Sequence, residues 1–169
     1  MAGKNKSENV LSDPPEQPVG VYVDSSALAK LYVPEPESEL LDEFLRGRRD
    51  LMISELVITE VVSAVARRRR EKLLDAKQAV EIRDAVASDA TSGSFRRLDM
   101  TPAIHREAER MLLSSDSLPL RTLDALHLAL ALSGAATRMI TFDSRLADAA
   151  ISQGLQIVDI SQRDLTGLR

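Results

Sequence analysis

The sequence predicts an α/β layered domain with a mainly parallel sheet. Short apolar runs that suit strands alternate with longer segments of helical spacing, the pattern of repeated βαβ units. The chain has 169 residues, enough for one globular domain with a single core. Aromatic residues are only 3% of it, with no tryptophan, so the core must be built from Leu, Ile, Val and Ala.

Val19 to Val23 is a short apolar run that stops at Asp24, a strand handing over to a helix across Ser26 to Tyr32. Pro34 and Pro36 punctuate the chain before a helix from Glu37 to Leu45, marked by Leu40, Leu41, Phe44 and Leu45. Leu51 to Ile53 is the second strand. Ser54 is an N-cap, with Glu55 in the first turn where the helix dipole favours a carboxylate, and the helix runs to about Glu71. Asp75 caps the next helix, which ends near Thr91 before Ser92, Gly93 and Ser94. Phe95 to Leu98 is a short strand, and Pro102 opens a helix to about Leu113. After a loop from Ser114 to Pro119, the segment Leu123 to Ala136 is nearly all Leu and Ala and predicts a central, buried helix. Arg138 to Phe142 is a strand ending at Asp143, Ser144 to Gln153 a helix closed by Gly154, and Gln156 to Val158 a last strand. There is no internal repeat and no second domain.

With no cysteine, a disulfide scaffold and thiolate metal sites are excluded, and a reducing cytoplasm suits the chain. No apolar run approaches the ~20 residues that span a bilayer, so no membrane association is expected. Met1 to Pro18 is polar and lacks the apolar middle of a signal peptide; it is expected to be a disordered leader, with the working domain over residues 19–169. The net charge is −4, so a nucleic-acid partner would need a local basic surface. Arg67 to Arg70 and the group Arg46, Arg48 and Arg49 are candidates, with solvated helix ends as the plainer account of each.

Four acids stand out by position. Asp24 and Asp143 each end an apolar strand, and open parallel sheets bind ligands at the carboxyl ends of their strands. A strand-end Asp is also an ordinary helix cap. Glu60 shares a helix face with Leu56, Val57 and Ala64, which turns it inward, and a buried carboxylate needs a partner. Arg67, two turns on, is one such partner. Asp124 lies between Leu120 and Leu128 on the most apolar helix, unless it caps that helix at Arg121 and Thr122. His127, one turn further, is either a proton carrier or a packed, hydrogen-bonded residue; His105 is expected at the surface.

If the four acids converge, their repulsion destabilises the fold unless a divalent cation is bound. Hard oxygen donors without cysteine favour Mg²⁺, or Mn²⁺, over Zn²⁺. Such an ion holds phosphate oxygens, activates water and stabilises a leaving oxygen, which is the chemistry of phosphodiester hydrolysis.

Val21-Tyr22-Val23-Asp24-Ser25-Ser26-Ala27-Leu28, Ile53-Ser54-Glu55-Leu56 leading to Glu60, Leu123-Asp124-Ala125-Leu126-His127-Leu128-Ala129 and Ile140-Thr141-Phe142-Asp143 resemble the motifs of PIN-domain proteins. The order Asp, Glu, Asp, Asp matches the family across roughly residues 19 to 160. The size and the Asp-Ser-Ser-Ala-Leu opening most resemble the toxins of VapBC toxin–antitoxin pairs. That resemblance implies a three-layer PIN-like fold with helices on both sides of the sheet. It implies a Mg²⁺-dependent endoribonuclease with Asp24, Glu60, Asp124 and Asp143 as its acidic tetrad, and Ser25 and Thr141 as nearby polar support. It also implies RNA as substrate, inhibition by a small antitoxin, and a homodimer.

Under this reading Leu28, Leu31, Tyr32, Leu40, Leu41 and Phe44 form either an antitoxin groove or plain core, and Arg67 to Arg70 touch the RNA backbone. The main alternative is a PIN-like protein that binds RNA or a partner without cutting. A haloacid-type phosphatase needs Asp-x-Asp after the first strand, where this chain has Asp24-Ser25-Ser26. A receiver domain needs an acidic pair and a later Lys, and neither arrangement is present.

Overall fold

Strands β1 (Gly20–Val23), β2 (Leu51–Ser54), β3 (Arg96–Leu98), β4 (Ala136–Ile140) and β5 (Gln156–Ile157) form one sheet in a computed structural model describing residues 20–114 and 120–160. Their order is β3-β2-β1-β4-β5, and every pairing is parallel. The central strands β1 and β2 are buried along their whole length, as unbroken apolar runs covered on both faces should be. The edge strands β3 and β5 are short and partly exposed. The leader expected over residues 1–18 and the loop at 115–119 lie outside the described residues.

Among the described residues seven helices connect the strands: α1 (Ser25–Ala29), α2 (Ser38–Leu45), α3 (Glu55–Arg70), α4 (Ala76–Thr91), α5 (Pro102–Ser114), α6 (Thr122–Ser133) and α7 (Ser144–Ser152). The chain steps from β1 through β2 to β3, then returns to the other side of β1 for β4 and β5. Because crossovers between parallel strands are right-handed, this reversal sends α1 to α4 to one face and α5 to α7 to the other. The result is the three-layer α/β arrangement. It also opens a crevice between β1 and β4, the switch point where such sheets bind ligands.

The core is aliphatic as expected, with Val21, Leu28, Leu41, Ile53, Leu128, Leu130, Met139 and Ile140 at most 1% exposed. The central helix α6 buries Ala125, Leu128, Ala129, Leu130 and Ala131. Asp75 caps α4 in a reciprocal box with Gln78. Leu28 and Leu41 belong to the core, Leu31, Tyr32 and Phe44 are half-buried, and Leu40 is exposed, so core packing accounts for most of the set read as a groove.

Three boundaries differ from expectation. The first helix spans Ser25–Ala29, and the chain then tightens into i→i−3 bonds from Lys30, Leu31 and Tyr32. There Lys30 turns inward to the carbonyl of Pro36. The apolar helix α6 stops at Ser133 instead of Ala136, and Ala135 takes the left-handed turn with φ 58°. Residues Ala136 to Ile140 pair with β1 instead, which apolar periodicity does not reveal. The strand therefore ends at Ile140, freeing Thr141 and Phe142 to form the approach to Asp143.

Candidate active site

Asp24, Glu60, Asp124 and Asp143 line one cleft of about 410 Å³ at the carboxyl end of the sheet, together with Ser25, Ser26, Arg121 and His127. Asp24 follows β1, Asp143 lies just beyond β4, Glu60 is in the second turn of α3, and Asp124 is in the first turn of α6. Residues up to 119 positions apart thus meet at the switch point.

Asp24 is 2% exposed and tightly held. Its Oδ1 accepts from the backbone N–H of Ala27 at 2.9 Å, which caps α1, and from the Ser26 hydroxyl at 2.8 Å. Its Oδ2 accepts from the Thr141 hydroxyl at 2.8 Å. Burial nevertheless wins, and pushes the Asp24 carboxyl above its ordinary range despite these bonds. Asp143 caps α7, taking the N–H groups of Arg145 and Leu146 on Oδ1. Asp124 takes the N–H of Arg121 on Oδ2 at 3.3 Å. The ordinary cap role therefore holds for three of the acids. In Asp124 and Asp143 it occupies one oxygen of the two, and a carboxylate has about four acceptor sites.

Glu60 does not pair with Arg67, which is exposed on the far end of α3. Its partner is His127, whose Nε2 lies 2.6 Å from Glu60 Oε2. His127 is 3% exposed, and its Nδ1 lies 2.9 Å from the hydroxyl of the fully buried Tyr22. Tyr22 in turn meets Ser54 Oγ at 3.0 Å, and Ser54 caps α3 through the N–H of Val57. Burial raises the pKa of Tyr22, so the phenol stays protonated. Burial alone would push Glu60 up as well. The hydrogen bond and charge of His127, helped by a bond from Ser25, hold its carboxyl below the ordinary range. An ionised Glu60 only accepts, so His127 Nε2 carries a proton toward it.

Among the described residues, no Lys or Arg pairs with Asp24, Asp124 or Asp143, and no three His, Asp or Glu side chains stand close enough together to hold a metal ion as they are placed. The donor chemistry does fit a hard divalent cation: carboxylate oxygens only, in one cleft, with no thiolate. The basic groups sit elsewhere. Arg68 is tied to Glu35, Arg46 to Asp42 and Arg48 to Asp50, while Arg121 lines the cleft itself.

A family model described as PIN domain matches residues 21–152, which span every element from β1 to α7. The chain belongs to the PIN-domain family. It is 37% identical to Ribonuclease VapC46 of Mycobacterium tuberculosis, across 82% of this chain and 95% of that protein. Among solved structures, this PIN fold resembles Mycobacterium tuberculosis VapC20, a sarcin–ricin-loop-cleaving toxin. The TM-score is 0.62 at 20% identity, over 77% of this chain and 95% of that one. It likewise resembles a chain of a toxin–antitoxin complex from Klebsiella pneumoniae, with TM-score 0.58 at 18% identity over 83% and 98% of the two chains.

Two residues of the cleft, Ser26 and Arg121, do not stand out in the sequence. Ser26 binds both oxygens of Asp24 and also receives the N–H of Phe142 at 2.8 Å, so one hydroxyl joins the two segments that carry Asp24 and Asp143. Arg121 was read only as a helix start. Its position three residues before Asp124 was the available signal, since a first-turn acid and the residue preceding its helix share the helix mouth.

Proposed function

We propose that this PIN domain is a metal-dependent endoribonuclease, with Asp24, Glu60, Asp124 and Asp143 as its catalytic acids. The supporting observation is that four acids scattered through the sequence line one cleft at the β1–β4 switch point. Mg²⁺, with Mn²⁺ as substitute, would be held by these four carboxylates and would supply charge neutralisation and an acidified water at the scissile phosphate.

The chain's own residues set the geometry. Ser26, Thr141 and the α1 N-terminus fix Asp24 so that it does not swing away when its charge is unmatched. His127 holds Glu60 ionised and aimed into the cleft. Arg121 brings a positive charge to a site that must receive phosphate. Arg67, Arg69 and Arg70, exposed on the last turn of α3, would add sequence-independent attraction for the RNA backbone.

The similarity to a VapC ribonuclease over most of both chains supports the toxin role in a type II toxin–antitoxin pair, acting in the cytoplasm. A small antitoxin as inhibitor and a homodimer as the working state follow from the same reading. No helix among the described residues is long and apolar enough to cross a membrane. The test is cleavage of labelled RNA by antitoxin-free protein. Cutting that requires Mg²⁺ and stops with EDTA supports the proposal, and no cutting across several RNA classes leaves the non-cleaving binder in its place.

A further inference from the structure

We propose that Phe142 is a stacking platform for one base of the RNA, a proposal that rests on the ribonuclease reading. The protein has five aromatic side chains, and four are buried or half-buried: Tyr22, Tyr32, Phe44 and Phe95. Phe142 alone is exposed, at 37%, and it stands one residue before Asp143.

Its place is fixed from two directions. The backbone N–H of Phe142 donates to Ser26 Oγ, the same hydroxyl that binds both oxygens of Asp24. One ring face lies over Lys30 Nζ, 4.4 Å from the ring centre. Lys30 is 8% exposed and is itself held by the Pro36 carbonyl at 2.9 Å, Glu37 at 3.2 Å and Glu35 at 3.4 Å. The ring therefore rests on a buried cation, one residue before Asp143, which lines the acidic cleft.

An exposed ring here is lost hydrophobic burial unless something covers it. A nucleobase suits the position, because every base has a π-face and a phosphate in the cleft puts its neighbouring bases at the rim. Leu123 gives a comparison: it precedes Asp124 as Phe142 precedes Asp143, is 46% exposed and lines the cleft, yet offers no ring.

The experiment measures KM and kcat of the full chain on a short RNA, with Phe142→Leu, Phe142→Trp and Leu123→Ala. The same RNA is also used with single abasic positions around the cut. Phe142→Leu is expected to raise KM on the order of tenfold with kcat nearly kept, and Phe142→Trp to restore it. One abasic position should weaken the parent protein but not Phe142→Leu. Equal KM in parent and Phe142→Leu, with the same abasic profile, overturns the proposal. If the parent cuts no RNA, the ribonuclease reading has failed separately. Stacking is then judged by the Kd of labelled RNA, and equal Kd for parent and Phe142→Leu overturns it.

Discussion

His127 Nε2 meets Glu60 Oε2 at 2.6 Å, so a helix from one layer of the sandwich holds the acid of a helix from the other. The contact ends a chain of buried hydrogen bonds. Val57 N–H donates to Ser54 Oγ, and the Tyr22 hydroxyl meets Ser54 Oγ at 3.0 Å and His127 Nδ1 at 2.9 Å. Nε2–H donates to Glu60, so the imidazole is fixed at both ring nitrogens. His127→Ala should therefore lower kcat about 10- to 100-fold with KM little changed, the range for losing a group that orients a metal-site ligand. Steady-state kinetics decides it: parent-like kcat in His127→Ala means Glu60 needs no support.

Tyr22→Phe probes the same strut from its buried end. Phenylalanine fills the ring volume but leaves the Ser54 hydroxyl and His127 Nδ1 without their shared partner. An unsatisfied buried polar group costs about 1–3 kcal/mol. The urea midpoint should fall by roughly 0.5–1 M, given slopes of about 1–3 kcal/mol/M. An unchanged midpoint would show that water or a rotated Ser54 replaces the phenol.

Asp24→Asn should abolish cleavage and raise stability in metal-free buffer at neutral pH. Burial raises the Asp24 pKa above its ordinary 3.8, so the folded state holds more protons than the unfolded one between 3.8 and that raised value. Stability on this account falls as pH rises through that window, and an ionised Asp24 is a net cost above it. Asparagine removes the charge and keeps the cap, because its Oδ1 still accepts from Ala27 and the hydroxyls of Ser26 and Thr141 can turn to accept its amide. The melting temperature in EDTA should rise by a few degrees near pH 7 and match the parent near pH 3. Glu60 runs the opposite way, since its lowered pKa stabilises at neutral pH and loses that contribution below about 4.5. Glu60→Gln should therefore destabilise where Asp24→Asn stabilises.

Arg67→Ala should leave both stability and kcat nearly unchanged, because Glu60 bonds His127 and not this exposed arginine. A lost phosphate contact would appear only as a higher KM and a shallower salt dependence.

The strand and helix order was legible because parallel strands buried on both faces and helices with one apolar stripe leave different periods in the sequence. Glu60 and Asp124 stood out because an acid amid Val, Leu and Ala must be held by something, and Asp24 and Asp143 because each ends an apolar strand. What held them was not legible. Glu60 and His127 are 67 residues apart, and the local candidate, Arg67, was the wrong partner. Position along a helix reveals which face a side chain shares, but not what another layer brings to that face. Likewise the early end of α6 came from strand pairing between Ala136–Ile140 and β1. Cap and cleft roles looked like rivals in the sequence. In Asp124 and Asp143 different oxygens of one carboxylate can serve both.

Metal binding can be read without any substrate. None of the four acids has a Lys or Arg partner among the described residues, so a divalent cation should bind the folded chain far better than the unfolded one. A ligand present at 100 times its Kd adds about 2.7 kcal/mol of stability. For a chain of this size that is roughly 5–10 °C in melting temperature. Mg²⁺ titrated into EDTA-stripped protein should produce a rise of that order, saturating with concentration. Asp143→Asn should flatten the response. Asparagine can still cap α7 through Oδ1, so the fold survives and only the charge is lost. Arg67→Ala should keep the full response, which separates a site in the cleft from general screening of a chain with net charge −4. Equal Mg²⁺ stabilisation of the parent and Asp143→Asn would remove Asp143 from the metal site.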